Sequence, residues 1–569
     1  MTLKELRISK GLSQVECAKY LNMSVRNYQN YESDIKKVNT YKYNDIYNKL
    51  VNYNFQRLDK EFITPIVKGS MLNNLYKSVE KYKKRKCFSI LKNYVINEVY
   101  GKICILYGLR RTGKTTLLFQ LINELPINET AYIKVTTNNN MGDLIKDLNA
   151  LYNQGYRYVL IDEITLLNDF INTAAVLSDV FSMMGMKIIV SGTDSLGFAM
   201  ANRDELYDRS VMIHTSFISF EEYARLLDIN SIDSYIEYGG TLKKENISFN
   251  DPEYKLEEVA FRDDESTRKY IDTAISKNIQ RTLKNDYFGE YFNELRELYE
   301  ENELTNVINR IVENMNHRFV LKVVEDKFKS SDFGSARDLL LHDAPKLAST
   351  TLYDVDYLSI IDRLKNILDV KEKEETKIKV NNDHINKIKE YLTMLDLIYN
   401  IPSRYESGKT EEHYIFIQAG MRYSIAKALV YSLLQDEYFN TLSEADKDYI
   451  IKKILEDVKG RMLEDIVLFE TKKVLYKKDV FKFKFNMGGE FDMVIYDRVN
   501  NTCEIYEIKH SKKIVERQKR YLLDQEKCNI IEQLYGKITD KFILYRGDYI
   551  EDNGIEYCNV EDYLIKLYK

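Results

Sequence analysis

Apolar positions fall into two patterns along this chain. Short continuous runs, Ile103-Cys104-Ile105-Leu106, Val159-Leu160-Ile161 and Ile188-Ile189-Val190, predict strands covered on both faces, as in a parallel sheet. Other segments show helical spacing. Leu3, Leu6 and Ile8 mark a first helix. Ser13 caps a second over 14–21, with Val15, Ala18 and Leu21 on one face. Ser24 caps a third over 25–31, and an amphipathic segment, 41–51, follows. Residues 216–350 read as helical and charged, broken at Tyr238-Gly239-Gly240. Further on, Ile385, Ile388, Leu392 and Leu395 share a face of a helix capped by Asn382 or Asp383. Leu397-Ile398-Tyr399 and residues 414–417 flank a polar turn at 404–410, which predicts a β-hairpin. Helix plus hairpin suggests a winged helix. A helix over 462–473, opening near Glu464, then leads to strands around 489–495 and 504–509.

At 569 residues the chain has room for several domains. A net charge of −5 is small for that length, so any nucleic-acid contact must come from local patches. The six cysteines are scattered without a C-x-x-C pair and read as reduced core residues, which predicts a cytoplasmic protein. The first residues show no apolar signal region and no run is long enough to span a membrane, so a membrane partner is not expected.

The densest chemistry follows the first buried run. Gly108-Leu109-Arg110-Arg111-Thr112-Gly113-Lys114-Thr115 fits G-x-x-x-x-G-K-[ST], with a strand before it and a helix after it, opening on Lys114-Thr115-Thr116. Glycines let successive backbone N–H groups curl toward a phosphate chain, and the helix N-terminus adds positive potential. Lys114 is placed for the β- and γ-phosphates of ATP, and Thr115 for Mg²⁺. Asp162 ends the second run, where an acid holds Mg²⁺, and Glu163 stands where a base orients the attacking water. The third run ends in Ser191-Gly192-Thr193-Asp194; Thr193 is the polar residue placed to sense the γ-phosphate. These residues predict an ATP-hydrolysing α/β core.

Two short helices around a tight turn, Asn22-Met23, form a helix-turn-helix, and the stretch LKELRISKGLSQVECAKYLNMSVRNYQNYES closely resembles the Cro/Xre-type phage-repressor family. The resemblance implies that residues 25–31 enter the major groove of DNA, with Gln14, Ser24, Arg26, Asn27, Gln29 and Asn30 facing it. An excess of about five positive charges over residues 1–60 suits backbone contact. The basic run Lys77, Lys81, Lys83, Lys84, Arg85 and Lys86 reads as a solvated helix face.

GLRRTGKTTLL, VLIDEI and the later segment Phe217-Ile218-Ser219-Phe220-Glu221-Glu222-Tyr223 together resemble the archaeal and bacterial AAA+-type ATPases that carry a C-terminal nuclease-like domain. In that family an arginine precedes the strand leading to the "SF-E" segment. Here that is Arg209, which the resemblance places near the γ-phosphate of its own or a neighbouring subunit; Arg203 is a rival, and Asp208 departs from the family's glycine. Residues 270–283 resemble the family's helical lid, and YLTMLDLIYNIP and YIFIQAGMR continue the likeness through the winged-helix segment, where Lys387 and Lys389 offer a second nucleic-acid contact. AAA+-type cores often assemble in rings, so a homo-oligomer is an expectation of the resemblance.

In the C-terminal segment, Glu507 and Lys509 lie two apart in a strand, hence on one face, within reach of Asp492 across a hairpin. Oxygen ligands from Asp492 and Glu507, helped by Glu464, suit Mg²⁺ or Mn²⁺, and Lys509 can position or deprotonate a water. The order Glu464, Asp492, Glu507-x-Lys509 resembles the PD-(D/E)XK nuclease superfamily. The expected architecture is multidomain α/β: an all-α helix-turn-helix (1–60), a connector (61–95), a P-loop ATPase core (96–215), a helical lid and spacer (216–350), a winged helix (351–440) and an α/β restriction-endonuclease-like domain (441–569). The expected function is an ATP-driven DNA nuclease with a repressor-type reader, suited to defence or control of mobile elements. The alternative is an ATP-switched DNA-binding regulator whose nuclease-like domain grips without cutting.

Overall fold

The computed structural model describes residues 62–97, 100–167, 169–193, 197–198, 206–242, 261, 263–284, 292–329, 362–366, 380–514 and 516–569. Toward the N-terminus it describes 3–9, 14, 17–18, 21, 23–33 and 40–51. Three helices there, Leu3–Ser9, Val25–Ser33 and Thr40–Val51, contribute Leu3, Leu6, Tyr28, Ile46 and Leu50 to a small core of their own, which Cys17 and Ala18 from between the first two complete. The Ser24 hydroxyl accepts the Asn27 amide at 3.2 Å and so caps the second of these helices. Asp194 and Arg203 lie outside the described residues, as does most of the expected helix 14–21.

The central sheet has six strands in the order β1 (Ile66–Lys68), β3 (Thr130–Lys134), β4 (Tyr158–Asp162), β5 (Lys187–Gly192), β2 (Ile103–Tyr107), β6 (Ser210–His214). All neighbours are parallel except β1 and β3. Side-chain alternation splits its residues between two cores. Ile103, Ile105, Ile133, Val159, Ile161, Ile188 and Val190 enter one; Cys104, Leu106, Tyr132, Leu160, Ile189 and Ile213 enter the other. Both faces are covered, which is why these strands carry no polar alternation. β5 lies between the P-loop strand β2 and the acid-bearing strand β4, so the carboxyl ends of all three open onto one crevice.

The C-terminal sheet has eight strands. Its centre is β11 (Asp479–Lys484), β12 (Glu490–Asp497), β13 (Thr502–Ile508) and β14 (Lys537–Tyr545). A 31-residue helix, Glu444–Val474, packs across it and joins it to the ATPase side in one continuous core that includes Phe220, Tyr235, Val458, Phe469 and Met493. This helix starts well before Glu464, because Ser443 caps it by accepting the Asp446 amide.

The expected winged helix is modified. Its helix, Asn382–Met394, is capped by Asn381, one residue before the expected positions. The hairpin pairs β7 (Ile398–Asn400) with β10 (Tyr414–Phe416) only at its base. Its tip strands, β8 (Ser403–Tyr405) and β9 (Thr410–Glu411), instead extend the C-terminal sheet, β8 pairing with β11. The guanidinium of Arg404 lies 3.9 Å from the Phe481 ring centroid and 3.3 Å from Asp479. An edge strand leaves its backbone groups unpaired, and the hairpin covers that edge of β11. Lys387 is paired with Glu390 at 3.1 Å and Lys389 lies over the Tyr414 ring. Among the described residues no helix is long and apolar enough to cross a membrane, and all six cysteines are free thiols.

Candidate functional site

The phosphate loop joins β2 to the helix Lys114–Ile122. Gly108 (φ +140°) touches Thr215 and Ser216, where any Cβ would come within 2.9 Å of their atoms, and Gly113 (φ +87°) caps the helix in the left-handed region. Lys114 is buried and its Nζ donates to the Gly108 and Leu109 carbonyls, at 2.8 Å each. Burial pulls its ammonium down to about 8, against the attraction of Glu163 and Asp162. Thr115 Oγ1 donates to Asp162 at 3.1 Å, so the hydroxyl and carboxylate that would hold Mg²⁺ are in contact. Asp162 also accepts from Tyr132 (2.9 Å), Lys134 (2.7 Å) and Ser191. Burial works to raise its carboxyl, but Lys134, Ser191 and Tyr132 outweigh that and hold it below its usual range. Glu163 follows with φ +62°, a left-handed conformation rare for a side chain of this kind, and Thr193 Oγ1 approaches its carboxylate at 3.5 Å.

The other loop residues divide by direction. Thr112 is fully buried and bonds Leu109 O and Thr215, so it braces the loop from behind. Arg110 and Arg111 are exposed, while their carbonyls accept from Tyr270 OH and the Leu242 amide. Thr116 is half-buried on the first helical turn. Arg209 is not with them. It precedes β6, at the opposite end of the sheet from the loop, and pairs with Asp179 at 3.1 Å. The strand between them spans about 13 Å at ~3.3 Å per residue, so its own phosphate site is out of reach.

The basic run expected as a solvated helix face is exposed at its lysines, but Arg85 within it is buried. Its guanidinium donates to Thr112 O and Thr215 O (2.8 Å each), to Phe217 O (2.8 Å) and to Glu222 (2.7 Å). Burial pushes the Glu222 carboxyl up, and Arg85 more than reverses this. The segment 219–222 is thereby tied to the back of the phosphate loop. Its other side meets the long helix: the Phe220 amide donates to Glu470 at 2.8 Å. Burial pushes Glu470 up to about 8 in spite of that bond. An isolated arginine among surface lysines was the one sequence signal available for this clamp.

On the helix Val25–Ser33, Arg26, Asn27, Gln29 and Asn30 are exposed around the buried Tyr28, and Ser24 is exposed at its start. Gln14 is half-buried and bonded to Glu32 (2.6 Å) and Gln29 (3.0 Å).

In the C-terminal sheet a β-bulge decides the geometry. Between Phe481 and Phe483 of β11, β12 advances from Val494 to Phe491, one residue more than its partner. That extra residue turns Asp492 toward the helix bearing Glu464. Asp492 Oδ2 accepts the Ile508 amide at 2.8 Å and Lys509 Nζ at 3.0 Å, and Lys509 reaches Glu507 at 2.6 Å. Asp492 and Glu507 are both buried, and the Glu507 Oε1 atom makes no hydrogen bond. Burial and the nearby Asp492 and Glu464 push the Glu507 carboxyl up against the pull of Lys509. For Asp492, burial is outweighed by Lys509 and Lys482 and the carboxyl falls below its usual range. Glu464 faces Arg461 (2.6 Å) and Lys482 (3.0 Å), both of which also contact Glu490. Nothing in the sequence marks Lys482, Glu490 and Arg461 for this site; Lys482 stands between Phe481 and Phe483, an ordinary solvent-face pattern. A cleft of ≈ 360 Å³ opens beside the cluster, lined by Arg461, Glu464, Lys509, His510, Lys453 and Gln518 among others. The His510 ring pairs with Asp233 (2.7 Å) on the ATPase side.

Comparison with known proteins fits this division. Residues 100–224 match the family described as "AAA domain". An uncharacterized protein of Methanocaldococcus jannaschii, MJ1544, is 26% identical over 196 residues, 33% of this chain and 43% of that protein, so the chain spans less than half of that relative's length. Among solved structures, C. elegans PCH-2 matches at 14% identity over 32% of this chain and 55% of its own, with a TM-score of 0.18. The Aeropyrum pernix ORC1 protein in complex with DNA matches at 13% identity over 68% of this chain and 100% of its own, with a TM-score of 0.24. Neither structural likeness bears on what this chain binds. The phosphate loop, its acid pair and the matched family model agree: residues 100–224 of this chain are a P-loop ATPase domain of the AAA type.

Proposed function

We propose that the chain couples ATP hydrolysis to DNA binding and to metal-dependent cleavage of DNA by its C-terminal domain. At the nucleotide, Lys114 and the loop amides bind the phosphates, Glu163 orients the attacking water, and Thr193 reports the γ-phosphate to Glu163. Thr115 and Asp162 are the residues that would hold Mg²⁺ there. The exposed polar face of residues 24–30 supports reading of DNA by this helix. Six free thiols suit a reducing compartment.

The observation that carries the nuclease reading is the meeting of Asp492, Glu507 and Lys509 within 3.0 Å contacts beside an open cleft. Asp492 and Glu507 offer hard oxygens for a divalent ion, and the unpartnered Glu507 Oε1 fits one. Such an ion, when bound, supplies Lewis acidity at the phosphodiester. Lys509, an ammonium paired with both carboxylates, orients the attacking water and offsets the negative charge that develops on the phosphodiester, while the water's proton passes to solvent. The chain from phosphate loop through Arg85, Glu222, Phe220 and Glu470 to the helix bearing Glu464 supports coupling between the two chemistries. Incubation of the full chain with plasmid DNA and Mg²⁺ tests this. Nicked or linear product that disappears in Asp492→Asn supports it, and intact plasmid under every condition defeats it.

The tight pairing of Lys509 with both carboxylates favours a second reading, an ATP-switched DNA-binding regulator whose C-terminal domain grips DNA. In that case DNA affinity depends on Lys509 and no product forms.

A further inference from the structure

The C-terminal cluster gathers four carboxylates, Glu464, Glu490, Asp492 and Glu507, against three cations, Arg461, Lys482 and Lys509. The cations are unevenly shared. Glu464 Oε2 takes both Arg461 (2.6 Å) and Lys482 (3.0 Å). Glu490 Oε1 takes the same two, at 3.0 and 2.7 Å. Lys482 is 3% exposed, so water screens little of this pairing. Asp492 Oδ1, by contrast, has only Lys482 at 3.7 Å, and Glu507 Oε1 has no partner while Glu507 is 4% exposed.

We propose that Lys482 and Arg461 are built-in counter-ions for Glu464 and Glu490, so that this site takes a single divalent cation, held by Asp492 and Glu507. Glu464 is then a positioning residue that anchors Lys482. The inference rests on the reading above that Asp492 and Glu507 are metal ligands. Lys482 stands where a second ion would sit. Oxygen atoms of Glu464, Glu490 and Asp492 all lie within 4.8 Å of one another, a spacing that suits a divalent cation once the ammonium is gone. A lysine is fixed by its covalent stem, whereas a metal exchanges with solvent, so the charge on this half of the site does not vary with metal supply.

The test counts Mn²⁺ by the loss of its free-ion EPR signal, in nucleotide-free full chain carrying Asp162→Asn to silence the phosphate-loop acid. The expected result is one ion per chain, none in Asp492→Asn or Glu507→Gln, and two in Lys482→Met. A gained ion is a readout that misfolding cannot imitate. Glu464→Gln, with its fold checked by circular dichroism, keeps one ion with Kd changed by less than about threefold. Loss of the ion in Glu464→Gln with the fold intact, two ions in the parent, or no gain in Lys482→Met overturns the proposal while the metal-site reading stands. No ion in the parent overturns both.

Discussion

At the phosphate loop the surface offered to a ligand is mostly backbone; in the C-terminal cluster it is entirely side chains. The loop needs two glycines, a helix end and one lysine, all within eight consecutive residues. The cluster draws Arg461 and Glu464 from a helix, Lys482, Glu490, Asp492 and Glu507 from three strands, and Lys509 from the end of one. Lys114 is buried with neutral carbonyls as its close partners, and its ammonium is pulled down; Lys509 is half-buried against two carboxylates, which push its ammonium up. The loop therefore gains charge balance from a bound triphosphate, whereas the cluster has most of its balance already. A site made of backbone waits for its ligand, and one made of paired side chains must rearrange to accept one.

This comparison can be strained most severely at Arg85, where the loop too depends on a buried ion pair. Arg85→Ala leaves Glu222 buried and uncompensated and is expected to cost about 3–5 kcal/mol. Denaturant melts of the full chain measure it. The exposed neighbour Lys84, paired with Glu124, is expected to cost under about 1 kcal/mol as Lys84→Ala. Equal effects would dissolve the distinction between clamp and surface run.

Next in size is Glu470, at the seam between the two regions. Its folded carboxyl lies near 8, above the ordinary 4.5, so the folded state keeps a proton that the unfolded chain releases. Stability contributed by that proton is present below pH 4.5 and is lost as pH rises through 8, at no more than about 1.4 kcal/mol per pH unit. Glu470→Gln should flatten this slope in thermal melts between pH 5 and pH 8 (a window set by about 4.5 and 8). An unchanged slope would show that Glu470 is ionised when folded. The smallest effect belongs to Arg209. Because it sits at the far end of the sheet, Arg209→Ala should leave single-subunit ATPase activity within about twofold, the scale of a solvent-exposed pair. A loss of a hundredfold or more would make it a residue that reaches a neighbour's phosphate.

How much was legible follows the same division. Local physics makes the phosphate loop readable, because glycine conformation, helix dipole and a buried strand all act within a short segment. Asp492, Glu507 and Lys509 were readable as types, since residues two apart in a strand share a face. The bulge that aims Asp492 was not, for it arises from the register of β12 against β11 and leaves no mark on residue identity. Lys482 and Arg85 escaped for a related reason. Burial of a long cation is decided by which carboxylate meets it, and Glu222 lies far along the chain from Arg85. The hairpin expected as a wing was correct as a hairpin; where its tip docks was set by the open edge of a sheet formed later in the chain.

The most direct measurement follows ATP hydrolysis and DNA cleavage in the same samples, for the wild-type chain, Lys114→Ala and Lys509→Ala, with Mg²⁺ and plasmid DNA. The account predicts that Lys114→Ala loses hydrolysis by about 10²–10³-fold and that Lys509→Ala loses cleavage by a factor of at least about 10² while hydrolysing ATP normally. Cleavage that survives in Lys509→Ala, or a wild-type chain that hydrolyses ATP and never cuts, would contradict it.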